Sequence, residues 1–172
     1  MKKPNSRERG NAIIEFTMAG IPMIFLLFTT LQISIAVWNY FTLDHAVNVA
    51  VRYAALHGAG CSSNGNTCTV TLGNIATVLK NAATGVPSDK IKATFTTNSG
   101  AQTTCNTLTS CLSDGTTWPP SASNDNQVGA SVTIKAQFSM NTALAMFWFR
   151  DGMVNDSGVF TFPATSTQQI MF

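Results

Sequence analysis

From Phe16 to Leu43 the chain carries no charged side chain, a run of 28 residues. As an α-helix this run would extend about 42 Å, more than the ~30 Å hydrocarbon core of a bilayer. A glutamate, Glu15, stands directly in front of it, and the basic residues Lys2, Lys3, Arg7 and Arg9 stand in front of that. By the positive-inside rule the basic end stays cytoplasmic and the remainder goes outward. Glu15 is the anomaly. A carboxylate inside the apolar layer costs on the order of 2.5–3.5 kcal/mol by insertion scales, so it needs headgroup depth or a partner.

Charge follows the same division. The first ten residues carry four basic side chains and Glu8, a net of +3, while the other 162 carry six basic and seven acidic ones, a net of −1. A nucleic-acid-binding domain would spread its positive charge over the folded part, so nucleic acid is not an expected partner. Only 10% of the residues are charged, far below the roughly 25% usual for soluble domains. The four cysteines fall in two close pairs, Cys61 with Cys68 and Cys105 with Cys111. Downstream of a membrane segment this spacing points to two local disulfides in an oxidising compartment. No CxxC occurs, and His45 and His57 lie upstream of the cysteines, so no metal site is expected.

Three fates for the apolar segment are compatible with these residues. It could be an uncleaved anchor, with Glu15 at headgroup depth. It could be a secretory signal, although the run exceeds the ~7–15 apolar residues of such signals, and Ser34-Ile35-Ala36 is a poor cleavage site. The third fate is set by the order Lys2-Lys3…Arg7-Glu8-Arg9-Gly10 followed by Asn11-Ala12-Ile13-Ile14-Glu15-Phe16. This order resembles a type IV prepilin leader, in which cleavage follows the glycine and the fifth mature residue is glutamate. The α-amino group exposed at Asn11 would then be close to Glu15 and could pair with it, on the same or a neighbouring chain.

A narrower likeness lies in Arg9-Gly10, Glu15-Phe16, Pro22 and the helix end Ala50-Val51-Arg52-Tyr53-Ala54-Ala55. Together they make residues 7 to about 57 similar to the TadE-like family of the tight-adherence (Tad, or Flp) type IV pilus system. That resemblance implies a minor pilin or pseudopilin cut by prepilin peptidase between Gly10 and Asn11, with Glu15 and Phe16 serving recognition and assembly. It implies as partners the peptidase, other Tad pilins and pseudopilins, the inner-membrane assembly machinery and membrane lipid. It implies no cofactor. Asn11 departs from the phenylalanine common at the first mature position in other pilin classes, which leaves its N-methylation open.

The expected organisation is a leader over 1–10, a pilin-like helix over 11–57 that spans the membrane at about 16–40, and an extracytoplasmic domain over 58–172. Pro22 would kink the helix. Beyond the membrane, Leu43, Ala46, Val47, Ala50, Tyr53 and Ala54 share one face, and Asp44, Asn48 and Arg52 the other. Gly58 and Gly60 would end the helix. Cys68–Leu72 alternates like a short strand, and Ile75, Val78, Leu79 and Ala82 make one face of a helix over 74–83. Period-two patterns mark strands at Ile91–Phe95, Val128–Met140 and Phe160–Ala164. The fold class is therefore α+β, a long N-terminal helix followed by a small domain with an antiparallel sheet and short helices.

Two stretches carry functional alternatives. Thr97–Gln127 reads as a long polar loop stapled by Cys105–Cys111. With Trp118 in it, the loop could make the chain a membrane-anchored or pilus-borne adhesin that binds a surface ligand. Thr142–Phe149 is strongly apolar, either a core segment or a membrane- or partner-facing patch anchored by Met146, Phe147, Trp148 and Phe149. Catalytic groupings are missing from the pattern, since Asp44-His45 lacks a nucleophile and no phosphate-binding glycine loop occurs. A structural role is expected, not an enzyme.

Overall fold

The computed structural model describes residues 6–59, 61, 68, 70–141 and 159–171, with the side chains of 6–12, 122 and 141 left aside. Lys2, Lys3 and the Thr142–Phe149 segment lie outside the described residues, as do the side chains of Arg7 and Arg9. The chain divides into two units, Met1–Val37 and Trp38–Phe172. The first unit is helical throughout its described length. It is the N-terminal part of helix α1 (Ser6–Ala55), which includes Pro22.

The second unit is a two-layer structure. Helix α2 (Leu72–Ala82) and the C-terminal turns of α1 share one hydrophobic core with strands β1 (Ile91–Thr96), β2 (Gln102–Cys105), β3 (Ser131–Asn141) and β4 (Val159–Gln169). The short helix α3 (Leu108–Cys111) lies between β2 and β3 in sequence. All strand pairs are antiparallel, in the order β2-β1-β3-β4. Alternation decides which face is covered. Ile91, Ala93 and Phe95 of β1 and Val132, Ile134, Ala136 and Phe138 of β3 are buried on the core side. The opposite face carries exposed Lys92 and Lys135 and the hydroxyl pairs Thr94–Thr104 at 3.4 Å and Thr133–Thr167 at 2.8 Å.

The α1 stripe in this core is Leu43, Ala46, Val47, Ala50, Val51 and Ala54, all with no exposed surface. Three of its six positions are alanine, which lets a helix backbone approach the sheet closely. His45, Asn48 and Arg52 point to solvent, as the periodicity requires. The helix stops at Ala55, before Gly58. His57 Nδ1 lies 2.7 Å from the Tyr53 carbonyl, so it donates to one of the carbonyls that the helix end leaves unpaired. The chain after β4 closes the core at this same end, where Met171 N–H donates to the Ala55 carbonyl at 3.1 Å.

Both cysteine pairs are bonded as the spacing suggested, Cys61 to Cys68 and Cys105 to Cys111. The strand expected at Cys68–Leu72 is reduced to one bridge, Thr71 with Thr117. The reason is a helix cap. Thr71 Oγ1 accepts from the Asn74 N–H at 3.2 Å, so α2 starts at Leu72, ahead of the expected position. Gly73 in the first turn is packed against the chain that follows α3, and its N–H donates to the Asp114 carbonyl.

The expected long loop over 97–127 is also corrected. Thr97–Ala101 is a hairpin turn with Gly100 at φ +85°, and β2 pairs with β1 directly after it. The rest of the stretch is tied to the core through Leu72 N–H to the Thr116 carbonyl and Trp118 N–H to the Val70 carbonyl. A methyl group at Gly73 would stand 2.7 Å from the Leu112 carbonyl oxygen and 2.9 Å from that of Asp114. Both are backbone atoms and cannot swing away. Gly73→Ala should therefore destabilise the second unit by about 1–3 kcal/mol, seen as a lower denaturation midpoint. Gly115→Ala, with open space around it, should leave the midpoint unchanged.

Candidate functional site

Along the first unit, apolar side chains are exposed on every side of the helix. Ile13, Phe16, Met18, Ile21 and Met23 are 65%, 78%, 75%, 66% and 65% exposed, and Ile24 through Phe28 are exposed in succession. A helix that is apolar all round requires lipid or other helices about it, not water. By length and composition α1 can cross a membrane. Four of its hydroxyls are satisfied within the helix. Thr17 Oγ1 donates to the Ile13 and Ile14 carbonyls, Thr29 Oγ1 to Phe25, Thr30 Oγ1 to Leu27 and Ser34 Oγ to Thr30, all within 3.1 Å. Each bond removes a polar cost that a lipid environment would impose.

Two strong polar groups are left among the described side chains of this unit. Glu15 is exposed, four residues after Asn11 on the same helix, hence on the same face one turn away. Gln32 is half-buried, and its Oε1 has no hydrogen-bond partner among the described residues. Pro22 brings no N–H, so the carbonyl of Met18 lacks its usual donor from the next turn. Gly10 and Asn11 both lie within α1, which starts at Ser6 and passes through the junction between them. Gly10, Asn11, Glu15, Phe16 and Pro22 thus fall on a single helix. Among the described residues Phe16 is the most exposed of the large apolar ones.

The polar stretch over 97–127 has a different character from the one expected. Trp118 is 3% exposed and packs edge-on against Phe95 with ring centroids 5.5 Å apart. It is a core residue and cannot take a ligand at the surface. Asp125 is also buried, at 1% exposed, and accepts from Ser99 N–H at 2.8 Å and Ser99 Oγ at 2.6 Å. It pins the β1–β2 turn to the segment before β3. Sequence reading missed Asp125 because a lone aspartate in a Ser/Asn-rich stretch carries no periodic signal. The turn was findable from Asn98-Ser99-Gly100 between two alternating runs.

Comparison with known proteins adds one finding. Residues 10–52 match the family model described as TadE-like protein. No curated protein and no solved structure matches the chain. Over that stretch the chain is similar to TadE-like proteins, and its long apolar helix accords with a single-pass anchor. The family is a structural, pilus-related one. The match begins at Gly10 and ends at Arg52, covering the apolar run and most of the α1 core stripe.

Asp125 supplies a pH test of the tied stretch. Burial pushes its carboxyl up, but the Ser99 hydroxyl, the Thr97 hydroxyl and the Ser99 N–H outweigh burial and hold it below the ordinary carboxylate value. A lowered folded pKa gives stability that is complete above the unfolded value of about 4 and lost as pH falls through the folded one. Denaturation between pH 6 and pH 2 should show that loss in the wild type. Asp125→Asn should be less stable at pH 6 and should lack this component of the pH dependence.

Proposed function

We propose that the chain is a minor pilin or pseudopilin of a Tad-type pilus, cut by prepilin peptidase between Gly10 and Asn11 and inserted through α1 among other pilin helices. The observation that carries this is the TadE-like match of residues 10–52 on a helix whose apolar side chains are exposed all round. The helix would sit in the inner membrane with its N-terminus cytoplasmic and its second unit outside. Assembly transfers the apolar surface from lipid to neighbouring helices.

Cleavage after Gly10 would make Asn11 the start of the helix. Glu15 would then lie beside the first turn, where unpaired N–H groups and the helix dipole favour a carboxylate by about 0.3–1 kcal/mol. The new α-amino group adds a full positive charge one turn from Glu15. The Gln32 acceptor fits the same picture, since a donor from a neighbouring helix would satisfy it. Pro22 frees a carbonyl in the same layer and can bend the helix to suit its neighbours. The adhesin alternative loses its aromatic anchor with the burial of Trp118.

The decisive measurement is the N-terminus and intact mass of the membrane-extracted protein, made with and without the cognate prepilin peptidase. A chain starting at Asn11 only when the peptidase is present supports the proposal. A chain starting near Met1 in both cases overturns it and leaves a plain anchored protein. Glu15→Gln should still insert into the membrane but should fall out of the sheared pilus fraction by about tenfold or more, because one to two kcal/mol of charge pairing is lost per subunit.

A further inference from the structure

The core stripe of α1 begins at Leu43 and its apolar run ends a few residues earlier, so the turn between them belongs to neither. It holds Trp38, Asn39, Tyr40 and Phe41. Trp38 is 67% and Phe41 65% exposed, while Asn39 is buried with its amide 3.9 Å from the Met140 sulfur. Tyr40 is 39% exposed, and its ring centroid lies 6.4 Å from that of Phe162. Phe162 is stacked in turn with Phe160 at 6.2 Å and an interplanar angle of 14°. Phe160 pairs with Met140 in the β3–β4 register. Phe160 and Phe162 lie on the core side of β4, Phe162 packed against the edge of the core, and both are only half-buried. Two elements thus bring five aromatic rings to one end of the second unit.

We propose that these rings form an interfacial collar that binds the headgroup–acyl boundary of the outer membrane leaflet and holds the β3–β4 end of the second unit at the lipid surface. The proposal rests on the reading of α1 as a membrane span. Length places the collar there. Counting 22 residues from Phe16, directly after Glu15, to Val37 gives about 33 Å of helix, a ~30 Å hydrocarbon core with a few ångströms to spare. Trp38 to Phe41 then fall at the far boundary. Chemistry agrees, because tryptophan and tyrosine combine an apolar body with a polar tip and concentrate at that depth. The next residues along α1 include Asp44, His45 and Asn48, which belong in water. A lipid surface therefore accounts for the sequence order apolar, aromatic, polar, and for the half-burial of Phe160 and Phe162 together.

Photolabelling tests this on the full-length chain in phosphatidylcholine–phosphatidylglycerol vesicles doped with a phospholipid bearing a diazirine near the headgroup end of its acyl chain. Labelled peptides are mapped by mass spectrometry. Labelling of Trp38–Phe41 and Val159–Phe162 within about threefold of that on Ile13–Val37, with the Thr94–Thr133–Thr167 face at least about tenfold lower, supports the collar. Labelling confined to Ile13–Val37 and Trp38–Phe41 overturns it, because Phe160 and Phe162 would then be covered by a second copy or by residues 142–158. No labelling on Ile13–Val37 overturns the membrane-span reading itself and the collar with it.

Discussion

One helix has to satisfy two solvents. Over its first unit α1 exposes apolar side chains on every side, so its backbone N–H and C=O groups must be paired inside the helix wherever the surroundings are lipid. Beyond Leu43 it turns a narrow stripe of small and branched residues to a sheet and the opposite side to water. The first requirement excludes any break in hydrogen bonding apart from that at Pro22, and the hydroxyls of Thr17, Thr29, Thr30 and Ser34 are folded back on the helix accordingly. The second requirement fixes the period of the stripe. Because a single element meets both, the register of the core is inherited from the helix.

The sheet is built to match. A four-stranded antiparallel sheet with one covered face buries the α1 stripe and α2 together. Its other face is left to threonine, serine and lysine, which suits water and discourages a second layer. The crossing from β2 to β3 passes over the end of the core, and Leu108, Cys111 and Trp118 turn inward from it. The family match stops at Arg52. The likeness to TadE-like proteins thus lies in the helix.

Legibility followed periodicity. The helix, the strands expected at Ile91–Phe95, Val128–Met140 and Phe160–Ala164, and the cysteine pairs were readable because each repeats with a fixed period or a short spacing, although β3 starts only at Ser131 and β4 runs on to Gln169. The α1 stripe was readable too, apart from Val51, which sits where two buried turns overlap. What was missed lacks a period. Gln102–Cys105 is only four residues long, and three of its positions are exposed. Thr71 looked like a strand residue because a β-branched cap and a strand end use the same extended backbone. Trp118 was misjudged because its neighbours are polar, and only the tertiary contact with Phe95 shows that it is core. For the candidate site, the residue pattern from Arg7 to Phe16 was visible in the sequence. The chemistry it implies lies in processing, and processing leaves no mark on a fold.

The cysteine spacings have a consequence for how such a chain matures. The two bonds join positions 7 and 6 residues apart. Loop closure costs about (3/2)RT ln n, so pairing across the 37 residues from Cys68 to Cys105 would be disfavoured by about 1.5 kcal/mol, or roughly tenfold, in an unfolded chain. The native bonds are therefore the ones that local encounter favours in an unfolded chain. Oxidation and folding become separable steps. A chain that emerges residue by residue can close both loops without waiting for β4, the last strand to arrive.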